Sequence, residues 1–206
     1  LQGNGQLAYQ PMKYDKYVNH TDPDLYPNVD WWDTTFRNIS NNIRANVNVA
    51  GGGKSVRYYV AGSFYSENGI FKPVENPQYD PQVGYKKINF RANVDINVTR
   101  LTELSLSLSN QYEVKNRLGV AMESVYENTL AVPSVAVVPV FSDGSLSRPI
   151  VGTNPYLDLN YTGYSADFWN NAQSLISLTQ DFSFITPGLK GNAKFSWDAR
   201  NESTLD

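Results

Sequence analysis

The 206-residue sequence predicts an all-β chain of antiparallel hairpins, about six strands in total, and three observations carry that prediction. The first is the segment INFRANVDINV, residues 88–98, in which Ile88, Phe90, Ala92, Val94, Ile96 and Val98 alternate with Asn89, Arg91, Asn93, Asp95 and Asn97. Strand side chains alternate between two faces, so one face here is wholly apolar. With 41% apolar residues, such a run arises by chance in about one window in 3,000, and several similar runs recur along this chain. The second observation is turn chemistry between the runs, and the third is an aromatic content of 13%, which suits strands better than a helical bundle.

Taken in order, residues 1–42 are rich in Tyr, Asp, Pro and Asn without periodicity and read as irregular, with one helical turn around DWWDTTFRN. Residues 43–50 alternate, with Ile43, Ala45, Val47 and Val49 on one face. GGGK then supplies a tight turn that tolerates positive φ. A second strand follows in SVRYYVAGSFYS, with Val56, Tyr58, Val60, Gly62 and Phe64 opposite Arg57, Tyr59, Ala61, Ser63 and Tyr65. After a loop over 66–86 comes the 88–98 strand, and TRLT turns the chain into ELSLSLSNQYEV, where Leu104, Leu106 and Leu108 oppose Ser105, Ser107 and Ser109. An insertion over 116–171 is expected to hold a short helix near 120–131 and a small hairpin at SDGS. The final hairpin pairs 176–185 with 189–198 across a turn at 186–188. No solenoid repeat accompanies these hairpins.

Two architectures use strands of this kind: a soluble sandwich or barrel with the apolar face inward, or an outer-membrane barrel with that face toward lipid. Alternation alone does not choose between them. The polar face is dominated by Asn, Ser, Thr and Gln, as a watery lumen permits, whereas a face in bulk solvent usually carries more Lys and Glu. Connections alternate short and long, and strands of this length match the roughly 9 to 11 residues that a tilted strand needs to cross the hydrocarbon. Both features lean toward the membrane. The formal net charge of −3 disfavours nucleic acid. The absence of cysteine removes disulfides and thiolate metal sites, and the longest apolar run, VAVVPVF, is too short for a spanning helix. Opening at Leu1 in a polar stretch, the chain reads as a piece of a longer protein.

PNVDWWDTTFRN, GGGKSVRYYVAGSFYSENGIFK, NFRANVDINVTRLTELSLSLSNQYE, SDGS and GTNPYLDLNYTGY, in this order, resemble the SusC/RagA family of TonB-dependent outer-membrane transporters, over residues 26 to 198. The resemblance implies an antiparallel transmembrane β-barrel segment, an arc of a barrel of about 22 strands closed by a plug domain. It divides the chain into an extracellular loop at 1–42, two hairpins at 43–115 joined by an extracellular loop at 66–86, a long extracellular loop at 116–171, and a further hairpin at 172–206. It also implies import of glycans or peptides with a SusD-like surface lipoprotein as a lid, and energy passed by TonB through a part of the protein outside this sequence. The implied location is the outer membrane of a Gram-negative bacterium, with lipid around the barrel. Plug, TonB-contacting segment and further strands are not in the sequence. A passive porin-like barrel and a soluble carbohydrate-binding β-sandwich are the alternative readings.

The candidate ligand-contacting residues are the loop aromatics Trp31, Trp32, Tyr156, Tyr161 and Tyr164, whose faces suit the apolar faces of sugars. The alternative for the tryptophans is a packing role as loop anchors or in an aromatic belt. Asp22, Asp24, Asp30 and Asp33 lack the spacing of a known calcium loop and read as a solvated acidic segment. His20 is the sole histidine, so neither a His-based zinc site nor a Ser-His-Asp triad can be assembled within the chain. Glu103 and Glu113 share a face but stand too far apart for a glycosidase pair, and Gly51–Lys54 lacks the spacing of a phosphate-binding loop. No catalytic residue, metal or cofactor is expected, and the chain reads as a non-enzyme.

Overall fold

The computed structural model describes residues 11–74, 79 and 81–205. Residues 1–10 of the irregular opening segment and part of the 66–86 loop therefore lie outside the described residues. Six strands form one antiparallel sheet in chain order: β1 (Asn42–Gly52), β2 (Val56–Asn68), β3 (Gly84–Asn97), β4 (Thr102–Leu118), β5 (Tyr164–Asp181) and β6 (Lys190–Leu205). The architecture is that of a β-barrel segment, with β1 and β6 as the sheet's two edges. Four short helices complete it: α1 (Pro11–Val18), α2 (Trp31–Thr35), α3 (Met122–Ala131) and α4 (Pro155–Asn160). No helix among the described residues is long and apolar enough to cross a membrane.

The register joins the apolar sets of successive strands, because residues paired across an antiparallel ladder share a face. Val60 stands opposite Val49 and Ala92, Val94 opposite Tyr58 and Leu106, and Ile176 opposite Leu106 and Phe195. The result is a predominantly apolar face across all six strands, interrupted by Asn110, Asn170, Ser174 and Asn201. Nothing among the described elements covers it: Val47 and Phe195 are each 66% exposed and Trp197 59%. On the opposite face, side chains bond to one another across the ladders. Asn89 donates to Ser63 at 2.9 Å, Ser105 to Asp95 at 2.7 Å, and Asn192 to Thr179 at 2.8 Å, while Lys87 pairs with Glu113 at 3.0 Å.

At one end of the sheet the connections are tight. The β1–β2 turn requires Gly52, whose φ is +145° and whose missing Cβ would lie 2.3 Å from the Val56 carbonyl oxygen. The β3–β4 turn closes with Thr99 N donating to Thr102 O at 3.2 Å. The expected strand at 176–185 is displaced: β5 runs Tyr164–Asp181, and residues 182–189 form the turn. The residues responsible are Asn170, Asn171, Gln173 and Ser174, which are polar on both faces and hide the alternation that continues beneath them. The long insertion correspondingly shrinks to 119–163 and the loop after β2 to 69–83.

The antiparallel order sends both of these connections, and the segment preceding β1, to the opposite end. There α2, α3 and α4 pack into a cap around Phe36, Phe71, Leu118, Val125 and Leu159. The expected helix at 120–131 is α3, the helical turn near DWWDTTFRN is α2, and the SDGS hairpin closes through a bridge between Val140 and Leu146. The sequence pattern did not announce α1 or α4, both too short to show a period.

Candidate functional site

Where polar ladder face and loop cap meet, side chains from distant parts of the sequence converge. Two asparagines weld the cap. Asn154, 2% exposed, caps α4 by accepting from Tyr156 N at 3.1 Å, and its Nδ2 donates to the carbonyls of Val138 (3.0 Å), Pro139 (3.1 Å) and Ser147 (2.8 Å). Asn160, fully buried, accepts from Val74 N at 2.8 Å, and its own carbonyl takes the Tyr79 hydroxyl at 2.7 Å. These bonds hold the 69–83 loop and the 119–163 loop as one body. A buried amide left unpaired costs about 1–3 kcal/mol, which is why residues with two-sided hydrogen-bonding capacity stand here.

The five aromatic candidates fall in three places. Trp31 is 4% exposed and donates Nε1 to Pro133 O at 3.4 Å: it is an anchor in the cap core. Trp32, 51% exposed, lies edge-on to Tyr126 and 4.6 Å from Phe36 by ring centroid, at the side of an open apolar groove of about 460 Å³ lined by Phe36, Ile70, Phe71, Met122 and Tyr126. Tyr156 and Tyr161 pair at 6.2 Å around α4, and burial pushes the Tyr156 hydroxyl above its ordinary pKa, with Tyr161 adding to the shift. Tyr164 opens β5 rather than sitting in a loop, and it stacks on Tyr79 at 5.8 Å. The structure therefore separates the pair Trp31–Trp32 into a core residue and a surface residue. Tyr79 and Tyr126, which sequence reasoning passed over, join the candidates. They carry no local pattern, and only the fold brings them to Tyr164 and Trp32.

The acidic segment has protein partners. Asp30 caps α2 by accepting from Asp33 N at 3.0 Å, Asp33 pairs with Lys72 at 3.5 Å, and Asp24 accepts from the Ser142 amide at 3.0 Å and hydroxyl at 2.9 Å. Asp22 lies in a turn with φ +60°, its carbonyl accepting from Tyr26 N at 2.9 Å. Glu103 bonds Arg57 at 3.3 Å near the tight turns, and Glu113 pairs with Lys87 near the cap, so the two glutamates act in separate ion pairs. Asp143, whose carboxyl the Ser145 hydroxyl and amide hold below the usual range, shapes the SDGS turn.

Below the cap, β4 presents Lys115 and Arg117 on the polar face. Arg117 Nη2 bonds Asp167 at 2.7 Å, and Thr204 donates to the other Asp167 oxygen at 2.9 Å. Farther down, the polar ladder is a surface of amides and hydroxyls with scattered charge, which offers many weak hydrogen bonds.

Solved structures share this fold. The RagAB peptide importer in its "open-open" state matches with a TM-score of 0.63 at 18% identity, covering 99% of this chain and 24% of that one. The RagAB peptide transporter matches at 0.62 and 17%, and the importer in its "closed-closed" state at 0.57 and 18%, each covering 98% of this chain and 24% of the other. The chain thus spans about a quarter of the length of these structures, and at such identity the likeness establishes the fold alone. No protein-family model and no curated protein matches the sequence.

Proposed function

We propose that this chain is an arc of an outer-membrane β-barrel transporter of the SusC/RagA type, non-enzymatic, importing peptides or glycans beneath a SusD-like lipoprotein. The bare apolar face of the six-stranded sheet carries this reading. Soluble proteins rarely expose contiguous apolar patches above a few hundred Å², and here an apolar patch extends over six strands, interrupted by Asn110, Asn170, Ser174 and Asn201, with no described element to cover it. A β-sandwich would bury that face under a second sheet; a barrel wall turns it to lipid. The opposite face, with its cross-strand amide and hydroxyl bonds, suits a water-filled lumen, and the fold shared with RagAB supports a transporter. In this reading the cap made of 11–41, 69–83 and 119–163 lies outside the cell, the edges β1 and β6 pair with further strands, and TonB acts through parts of the protein beyond this arc.

The test uses the intact gene product in its native host. The expected result is recovery in the outer-membrane fraction as a heat-modifiable band, co-purification of a surface lipoprotein, and uptake of peptide or glycan that collapses when the proton gradient is dissipated. Recovery in the soluble fraction would refute the reading. Uptake that persists without the gradient, together with open-pore conductance in planar bilayers, would replace it with a passive porin.

A further inference from the structure

Resting on that transporter reading, we propose that the cavity where β4 enters the cap is a subsite for a carboxylate carried by the imported ligand, with Lys115 as its principal contact. The cavity holds about 950 Å³, and Tyr79, Lys115, Arg117, Glu123 and Tyr164 line it. Lys115 and Arg117 are two residues apart on one strand, so both project from the polar face. Their charges are not equally spent. Arg117 is held by Asp167, although its side chain remains 42% exposed and a guanidinium has further donors to give. Lys115 stands opposite the same Asp167 in the register, but that carboxylate is already engaged by Arg117 and Thr204. Among the described residues no carboxylate lies within ion-pair distance of Lys115.

Among the described residues that line the cavity, the acidic side chain is Glu123, in the first turn of α3, where a negative charge is favoured by the helix's amino end. It forms no ion pair with either cation. An anion entering the cavity therefore meets an ammonium group that no described carboxylate pairs with. The opposite wall is fixed in advance: Tyr79 stacks on Tyr164 with rings 19° from parallel, and its hydroxyl is held between Asn160 O and Gly163 N. Gly119 N donates to Gly163 O at 3.0 Å and closes the base of the 119–163 loop. An unpaired ammonium beside a rigid aromatic wall suits a carboxylate attached to a flat or aliphatic body, because the wall has no ordering entropy left to lose on binding.

Acidic peptides and uronic-acid glycans both present that chemistry, so the test carries both. The intact transporter, purified in detergent with its bound partners, is titrated with the peptides Ala-Glu-Glu-Ala and Ala-Gln-Gln-Ala, and with trigalacturonate and its methyl ester. The expected result is a preference of about tenfold for one acidic probe over its neutral counterpart, the size of one charge-assisted contact. Lys115→Gln should abolish the preference without weakening the neutral probe, and Lys115→Arg should retain it. Whichever acidic probe shows the preference identifies the source. A wild-type protein with no preference in either pair, or a Lys115→Gln protein that keeps it, overturns the subsite. Heat-modifiability and outer-membrane recovery of the same variants report on the transporter reading separately: an assembled barrel without acid preference refutes only the subsite, and a protein absent from the outer membrane refutes both.

Discussion

Replacing Val94 by arginine should harm barrel assembly far more than the same change at Asn93, one residue away. Val94 lies on the apolar face between Tyr58 of β2 and Leu106 of β4, whereas Asn93 stands on the polar face between Tyr59 and Ser107, with Arg91 and Asp95 along its own strand. An arginine on the lipid face costs about 2–4 kcal/mol at the bilayer midplane and about 0–1 near the interfaces. The apolar run of β3 from Ile88 to Ile96 is centred on Ala92, so Val94 is two residues from the centre. That is about 7 Å along the strand, or roughly 5 Å in depth for a strand tilted by about 45°. Scaling between the two limits gives about 2 kcal/mol for Val94→Arg, and the lost contacts to Tyr58 and Leu106 add a few tenths more. Asn93→Arg exposes no charge to lipid and should stay within about 0.5 kcal/mol. Urea titration of the folded and unfolded bands in detergent or lipid vesicles, using the intact protein, reads the difference. Equal losses, or a larger loss at Asn93, would invert the two faces and refute the assignment of the apolar face to lipid.

Three further outcomes follow from the same geometry. A cysteine at Ile150, which is fully exposed in the cap, should react with a membrane-impermeant maleimide on intact cells, while one at Lys54, in the β1–β2 turn, should react only after permeabilisation. Asn154→Ala should leave the carbonyls of Val138, Pro139 and Ser147 without their shared donor and remove the cap of α4, a loss of about 2–4 kcal/mol confined to the cap. Limited proteolysis should then cut within 132–153 in a barrel that is still heat-modifiable. Residues 1–206 expressed alone should aggregate in buffer, because the apolar face and the edges β1 and β6 stay uncovered; a monodisperse soluble monomer with a cooperative melt would support the β-sandwich instead.

The strands β1 to β4 were legible because each keeps one residue class per face: Ile88 to Ile96 on one side and Asn89 to Asp95 on the other leave no second register that buries less polarity. The start of β5 was not, because Asn170, Asn171, Gln173 and Ser174 place polar groups on both faces and mask the period. Their partners explain the composition, since Asn170 sits within 2.8 Å of Asn110 through its amide, a pairing between non-adjacent stretches that local pattern cannot signal. The site was legible only in part. Composition singled out the loop aromatics, yet which tryptophan is core and which is surface depends on Pro133, 102 residues away from Trp31. Lys115 and Arg117 lie beyond the alternating run that ends at Val114, and only the fold extends β4 to them and sets Asp167 beside them.

That division of labour has a consequence for how such a chain tolerates change. In the proposed barrel, side chains on the apolar face answer mainly to lipid, and those on the polar ladder answer to cross-strand partners worth about 0.2–1 kcal/mol each, so most single substitutions there are survivable. The cap is different: Asn154 bonds four groups spread along the 119–163 loop, and Asn160 ties that loop to the 69–83 loop through Val74, so losing one loosens several segments at once. Ligand preference can therefore drift through residues such as Lys115, which touches the cavity without bracing the cap, while the asparagines that hold the loops in place must stay. Substituting Lys115 should change which ligands bind and leave proteolytic resistance intact, whereas Asn160→Ala should lower both, because it removes the carboxamide that holds Val74 N and Tyr156 O next to the main-chain carbonyl on which Tyr79, the wall of the proposed subsite, is anchored. A variant of Asn160 with full proteolytic resistance and unaltered binding would show that the cap is held by its apolar core alone, around Phe36, Val125 and Leu159.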